Sequence, residues 1–197
     1  AFHEKHPDWP LRATFFVNSH PFGGQRWQEK LTFLAAQGFE VGNHTLYHDD
    51  LHKMSLSKAN ESIGAIQREV ETATGDAPVT IAYPFGLLPL DVKESLGGNG
   101  LQGGFLVGAS PSVSPYDARF DPLHVRRVQV VDPQITYEAT WSFWFDDLRK
   151  HPERLYVSDG DPKHVTVPAA TEAALAGDVD PKEVVTTPAV ANTQHGT

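Results

Sequence analysis

The fold of this chain is decided by the stretch Gly38-Phe39-Glu40-Val41-Gly42-Asn43-His44-Thr45-Leu46-Tyr47-His48. Its first half has the β-favouring composition of a short buried strand, and this strand runs directly into two histidines four residues apart. Imidazoles at the carboxyl end of a strand suit a metal-activated hydrolase, because they are neutral nitrogen donors on a rigid backbone. With 10 histidines in 197 residues, roughly 0.5 such pairs arise by chance, so the surrounding sequence must support the prediction.

Around this stretch, the sequence alternates strand-like and helix-like segments. The strand-like segments are 11–17, 39–42, 79–83, 103–107 and 125–131. Helical spacing of apolar residues predicts helices at 26–37 and 57–74, the second capped by Ser55 or Ser57 and ended by Gly75. A short helix is predicted to begin at Pro89, and another to carry Trp141, Trp144, Phe145 and Leu148 on one side. Alternation with short loops predicts an α/β fold with a parallel sheet or barrel.

Composition excludes several classes of protein. A net charge of −9 argues against a nucleic-acid binder that follows the phosphate backbone. No apolar run reaches the roughly 18–20 residues of a transmembrane segment. The chain contains 0 cysteines, which excludes disulfides and thiolate metal sites. No internal repeat is evident, and the oligomeric state cannot be read from the sequence.

The strand and helix pattern predicts three regions along the chain. Residues 1–152 form the α/β domain, and residues 153–168 contribute peripheral strands, at Tyr156-Val157 and His164–Val167. Residues 169–197 are rich in small, proline, threonine and acidic residues without aromatics, which predicts a flexible tail or linker.

Three features are expected at one edge of the sheet, at the carboxyl ends of strands, where parallel α/β folds place their active sites. They are the pair His44 and His48, the tripeptide Pro84-Phe85-Gly86, and Arg126-Arg127 beside the fifth predicted strand. Each has an ordinary interpretation as well. The histidines could be a surface pair bridged to Asp49 and Asp50, Pro84–Gly86 a plain turn, and the arginines solvated charges.

The order of these motifs resembles the polysaccharide deacetylase (NodB-homology, carbohydrate esterase 4) family. The motifs are Ala13-Thr14-Phe15-Phe16-Val17, the stretch from Gly38 to His48, and Ala82-Tyr83-Pro84-Phe85-Gly86. The resemblance covers roughly residues 11–132. With alanine at position 82, the chain is similar to the branch that deacetylates poly-N-acetylglucosamine.

The resemblance implies a distorted (β/α) barrel and a role for each matching residue. His44 and His48 match two ligands of one divalent metal ion, commonly Zn²⁺. Phe85 matches a residue whose backbone N–H stabilises the oxyanion of the tetrahedral intermediate. Arg127 matches a basic residue that orients the catalytic carboxylate or binds sugar.

The implied activity is metal-dependent hydrolysis of N-acetyl groups on amino sugars of a cell-envelope polysaccharide. The substrate partner is then an N-acetylated polysaccharide or oligosaccharide, and the implied location is extracellular or the cell envelope. The general acid of the family lies in a late Leu-x-His motif, which cannot be recognised in this sequence. The only candidates for the general acid are His124 and His164.

One departure from the family affects activity. Its first motif, a strand ending in two aspartates that supply the third metal ligand and the general base, should precede Ala13. Residues 1–10 contain no such strand. We therefore expect that the chain is an N-terminally truncated piece that lacks the first strand, that another segment supplies the carboxylates, or that activity is lost.

Two other interpretations are compatible with the sequence. One is a carbohydrate-binding pseudoenzyme that keeps the fold without the catalytic carboxylates. Another is a related amide hydrolase for small substrates, which a closed, narrow pocket would favour. His52 extends the histidine series and could pair with His48 instead of His44, and the Trp141–Phe145 cluster predicts core packing or sugar stacking.

Overall fold

The computed structural model describes residues 2–5, 7, 11–108, 110–130, 140–154, 159, 161, 163–168 and 175–187. It divides the chain into an N-terminal unit, Ala1–Val107, and a C-terminal unit, Gly108–Thr197. The division that the sequence predicts at residue 152 stays a prediction. The predicted strand at Tyr156-Val157 and residues 169–174 and 188–197 of the predicted tail lie outside the described residues.

The N-terminal unit is built on a four-stranded parallel sheet. Its strands are β1 (Thr14–Val17), β2 (Glu40–Asn43), β3 (Thr80–Ala82) and β4 (Gly103–Phe105), in the spatial order β1-β2-β3-β4. Because every strand points the same way, the residues that follow the four strands meet at one edge of the sheet. This confirms the predicted α/β class and the four strands at these positions.

One short helix precedes β1, and three helices lie between successive strands. They are α1 (Phe2–Lys5), α2 (Trp27–Ala36), α3 (Leu56–Thr74) and α4 (Val92–Gly97). Gly75 ends α3 in the left-handed conformation at φ 90°, as predicted. Ser55 precedes α3, but its side chain makes no capping hydrogen bond. The first residue of α4 is Val92 and not Pro89, because Asp91 caps the helix by accepting a hydrogen bond from the Glu94 N–H.

The core lies between the sheet and helices α2 and α3. Its buried cluster consists of Val17, Leu31, Val41, Ile66 and Val70. At the amino ends of the strands, the Glu40 carboxylate accepts hydrogen bonds from the Thr14 and Thr80 hydroxyls, at 2.6 and 2.5 Å. Strands β1, β2 and β3 are thus tied together at the edge opposite the histidines.

A glycine is required at position 42 by close packing. A Cβ atom there would lie 2.5 Å from a ring carbon of Phe16 on the neighbouring strand. This contact is far shorter than van der Waals distance, so the aromatic ring occupies the space that any side chain at position 42 would need.

The C-terminal unit contains helix α5 (Trp141–Lys150) and two short parallel strands, β5 (Val165–Pro168) and β6 (Val184–Thr187). Val165 pairs with Val184 and Thr166 with Val185. Strand β6 lies in the stretch that the sequence predicts to be a flexible tail or linker. Its pairing with β5 explains the order there, because neither strand satisfies its backbone groups alone.

Two predictions for this unit differ from the structure. The fifth strand predicted at 125–131 is absent from the described residues 125–130, where Gln129 makes an isolated bridge to Thr140. The apolar side of α5 does not pack into a core, because no described residue of this helix is buried. The rings of Trp141 and Phe145 contact each other edge-on and both are half exposed.

None of the helices in the described part of the chain combines the length and hydrophobicity that crossing a bilayer requires.

Candidate metal and active site

His44 directly follows β2, and its ring is held by the neighbouring strand β3. The His44 N–H donates to the Val17 carbonyl at 3.0 Å, which extends the β1–β2 pairing by one residue. The ring atom Nδ1 lies 2.6 Å from the Ala82 carbonyl oxygen. Because a carbonyl only accepts, Nδ1 carries the proton of this hydrogen bond, and Nε2 keeps its lone pair in the neutral ring.

The loop that carries the histidines is fixed by two asparagine side chains. Asn18, which follows β1, donates to the carbonyls of His44 and Thr45 at 2.6 and 2.9 Å. Asn43 is fully buried, accepts a hydrogen bond from the Thr45 N–H, and donates to α3 at the Ile63 carbonyl. These bonds satisfy backbone groups that a tight loop would otherwise leave unpaired.

Left-handed backbone at two positions brings the imidazoles together. Thr45 has φ 65° and His48 has φ 60°, a conformation that non-glycine residues adopt only where the surrounding contacts enforce it. The ring centroids of His44 and His48 are 4.8 Å apart, with the ring planes at 78°. The structure therefore pairs His48 with His44 through a loop, and not through the turn of a helix.

Phe85 lies beside this pair, in the turn Pro84–Gly86 that follows β3. Its ring contacts the His48 ring edge-on, with centroids 4.5 Å apart. Phe85 is in the left-handed region at φ 59°, and its side chain is 60% exposed. Among the described residues, no acceptor receives a hydrogen bond from the Phe85 N–H, whereas the Gly86 N–H donates to the Tyr83 carbonyl.

The neighbouring aspartates interact with groups other than the imidazoles. Asp49 accepts hydrogen bonds from the Ser62 hydroxyl at 2.5 Å and from the Tyr47 N–H at 3.3 Å. Asp50 forms an ion pair with Lys53 at 2.8 Å, which lowers the pKa of the Asp50 carboxyl. These contacts weaken the interpretation of His44 and His48 as a simple surface pair bridged to Asp49 and Asp50.

A complete metal site would need a further ligand. Within the described residues, no group of three or more histidine, aspartate or glutamate side chains is placed to hold a metal ion. The two histidines nevertheless fit metal binding, because a ligating histidine commonly donates its second N–H to a backbone carbonyl, as His44 does to Ala82.

The remaining sequence candidates belong to the C-terminal unit. Arg127 is half-buried in an irregular segment and not on a strand, and burial lowers the pKa of its guanidinium. Arg126 donates to the Ser110 hydroxyl at 3.0 Å. His124 and His164 are bonded to the carboxylates of Asp121 and Asp159, at 2.7 and 2.6 Å.

Comparison with known proteins shows a similarity of the N-terminal part of the chain to one family. Residues 9–104 match the family model described as polysaccharide deacetylase. No curated protein sequence matches the chain. Among solved structures, a deacetylase of Streptococcus pyogenes, PplD, determined in complex with acetate, aligns at a TM-score of 0.53 and 15% identity, over 61% of this chain and 54% of that chain. This similarity supports the shared fold.

Two further structures show similarity over a smaller part of the chain. A family 4 carbohydrate esterase from Streptomyces lividans, in complex with acetate, has a TM-score of 0.45 and 20% identity, over 51% of this chain and 50% of that chain. BA3943 of Bacillus anthracis, a CE4 family pseudoenzyme, has a TM-score of 0.44 and 20% identity, over 55% of this chain and 36% of that chain. The aligned part thus spans between 36% and 54% of these relatives.

Proposed function

We propose, from the match of residues 9–104 to the polysaccharide deacetylase family model, that the protein is a metal-dependent hydrolase that removes N-acetyl groups from amino sugars of a cell-envelope polysaccharide. The observation that supports this proposal most strongly is the 2.6 Å contact between His44 Nδ1 and the Ala82 carbonyl. It fixes the ring in the tautomer that presents Nε2 as a ligand, next to a second imidazole.

Each residue of the site then has a task. His44, through Nε2, and His48 would hold one divalent ion, proposed to be Zn²⁺. When bound, such an ion polarises the acetamide carbonyl and activates water for attack. The Phe85 N–H, which has no acceptor among the described residues, would donate to the oxygen that becomes negative during hydrolysis.

The remaining roles fall to other groups. We assign the general base and the third metal ligand to carboxylates outside the described residues, and a supporting role near the sugar to Arg127. We assign the general acid to His124, whose ring is hydrogen-bonded to the Asp121 carboxylate.

The exposure of the site favours a polymer over a small amide substrate. Tyr47, between the two histidines, is 76% exposed, and Phe85 is 60% exposed. A rim of exposed aromatic rings can contact the apolar faces of successive sugars, whereas a small substrate is usually enclosed by its pocket.

A pseudoenzyme is the second candidate, and it is favoured by a specific observation. No group of three metal-ligating side chains occurs in the described part of the chain. Such a protein would bind the polysaccharide and leave its acetyl groups in place.

Release of acetate from N-acetylglucosamine oligomers in the presence of Zn²⁺ separates the two candidates. We expect His44→Ala and His48→Ala to reduce the rate by at least about 100-fold, because each removes a metal ligand. His52→Ala is the matched control, since this histidine lies four residues further along, and it should keep the rate of the unmodified protein. Saturable binding of the oligomer without any acetate release would establish the pseudoenzyme instead.

A further inference from the structure

A short turn recurs at two places in the C-terminal unit. The sequence Asp-x-Asp-Pro-Lys-x-Val occurs at residues 159–165 and again at residues 178–184. In both copies the lysine N–H donates to the side chain of the aspartate before proline, Lys163 to Asp161 and Lys182 to Asp180, at 2.9 Å each. The residue after lysine donates to the carbonyl of the same aspartate, at 3.1 Å in the first copy and 3.0 Å in the second.

The two copies differ in the residue that follows the lysine, which is His164 in the first and Glu183 in the second. Because Glu183 makes the same turn with the same hydrogen bonds, the turn itself does not require an imidazole. The imidazole is therefore not needed for these hydrogen bonds. Its Nδ1 bonds Asp159 of the same turn, and its ring lines a cleft.

This cleft has a volume of about 540 Å³, within the range of small-ligand sites. Its lining residues are Ser112, Val113, Ser114, Pro115, Tyr116, His164 and Thr166. Four of these carry hydroxyl groups, and the Tyr116 side chain, 47% exposed, presents an aromatic face.

The wall that carries Tyr116 is held in place by the backbone. The Tyr116 carbonyl accepts a hydrogen bond from the Ala176 N–H at 2.8 Å, and Asp117 forms a bridge with Leu175. The Asp117 carboxylate is buried and binds Arg119 with both oxygens, at 2.9 and 2.6 Å. A cleft with a fixed wall loses little conformational entropy when a ligand binds.

The charges around His164 select the class of ligand. Its Nδ1 lies 2.6 Å from an oxygen of Asp159 and 3.9 Å from an oxygen of Asp161. Two carboxylates beside one imidazole leave no net positive charge, so an anion is not attracted. The described residues also hold no cluster for a metal ion. Hydroxyl groups, an imidazole and an aromatic face together suit a neutral sugar.

We propose that this cleft is a second saccharide site, with Tyr116 stacking on an N-acetylated sugar and His164 and the hydroxyl groups bonding its polar substituents. Asp159 holds Nδ1, which leaves Nε2 of His164 to the sugar. Neither His44 nor His48 lines this cleft, and binding there does not require acetate release. On a polymer, a second binding site raises the affinity of the whole protein for one chain.

Nuclear magnetic resonance of the His164 and Tyr116 side chains during titration with the N-acetylglucosamine tetramer tests the proposal. We expect both signals to shift with a Kd of about 1 mM. His164→Glu, which installs the residue of the second copy, should keep the turn and weaken binding at least about tenfold. Glu183→His is the matched control and should leave the affinity unchanged.

Two further variants and a second ligand test which molecule binds the cleft and whether it binds there. Tyr116→Ala should also weaken binding, which keeps the test valid if His164→Glu fails to fold. The His164 shift should persist in His44→Ala, whatever the fate of acetate release in that variant. The proposal is overturned if about 10 mM tetramer moves neither signal, if the shift is equal in His164→Glu, or if inorganic phosphate produces it and the tetramer does not.

Discussion

At His44, one hydrogen bond decides which ring nitrogen carries the proton. The Ala82 carbonyl receives the proton of Nδ1, so Nε2 carries the lone pair in the neutral ring. The His44–His48 pairing could be proposed from the sequence because both residues follow a strand. The tautomer could not, because it depends on a backbone carbonyl contributed by a different strand, far along the chain.

The backbone conformation of Phe85 leads to a prediction about stability. Its left-handed backbone at φ 59° is unfavourable for any residue with a Cβ atom and is tolerated by glycine. We expect Phe85→Gly to be about 1 kcal/mol more stable than Phe85→Ala. Both variants lose the ring contact with His48, so their difference isolates the backbone.

The free energies of unfolding of these two variants, from urea titrations, make the comparison. Equal stability would show that the left-handed backbone at position 85 is not maintained in solution. Under the proposed function, Phe85→Ala should keep much of the activity, because the oxyanion contact is made by a backbone N–H.

At the scale of elements, the loop between β2 and α3 depends on Asn43. Its side chain bonds the Thr45 N–H, the Ile63 carbonyl and Gln67, and it is fully buried. We expect Asn43→Ala to lower the free energy of unfolding by about 3 kcal/mol, since it leaves buried polar groups unpaired. The same variant should weaken metal binding at His44 and His48, because it releases the loop that positions them.

Asn60→Ala is the matched control for this prediction. The Oδ1 atom of Asn60 is buried without a hydrogen-bond partner among the described residues, so its removal should change the unfolding free energy by less than about 1 kcal/mol. A similar, small effect of both substitutions in chemical denaturation would contradict the role assigned to Asn43.

The elements themselves were predictable where periodicity was long or a glycine marked the end. Helix α3 was predicted because Ile63, Ile66 and Val70 recur at helical spacing before Gly75, and all three are buried. The strand predicted at 125–131 was wrong for the described residues 125–130. Its β-branched residues suited a strand, but pairing depends on a partner that local composition does not reveal.

At the scale of the whole molecule, we expect the C-terminal unit to respond to acid through Asp117. In the C-terminal unit, the hydrogen bonds of Arg119 lower the pKa of Asp117 from 3.8 to about 2. A carboxyl whose folded pKa is depressed stabilises the fold above its ordinary pKa, and this contribution is lost as pH falls through the folded value. Unfolding of this unit should therefore become easier between about pH 4 and pH 2.

Asp117→Asn should remove part of that acid dependence, whereas Asp76→Asn, in the N-terminal unit, should leave it unchanged. Urea unfolding at several pH values, followed by a probe in each unit, makes the measurement. An acid dependence that is identical in the unmodified protein and in Asp117→Asn would contradict the stabilising role of the Arg119 contact.

In the same unit, the contribution of His164 to stability changes with pH in the opposite direction. The carboxylate of Asp159 raises the pKa of its imidazole above 6.5, so the stabilisation is complete below that value and is lost as pH rises through the folded pKa.

The recurrence of the turn at His164 and Glu183 could not be predicted from the sequence, because only four residue types recur and the positions between them vary. Parallel pairing of Val165 with Val184 made the recurrence visible.

The central claim is that His44 and His48 act as one pair of metal ligands, and nitrogen-detected nuclear magnetic resonance of the imidazoles during titration with Zn²⁺ tests it most directly. We predict that His44 is the neutral tautomer protonated at Nδ1 before Zn²⁺ is added. Zn²⁺ should then shift Nε2 of His44 and the His48 ring together and leave His52 unchanged. Protonation of His44 at Nε2 in the neutral ring, or a titration in which Zn²⁺ moves neither ring, would contradict the claim.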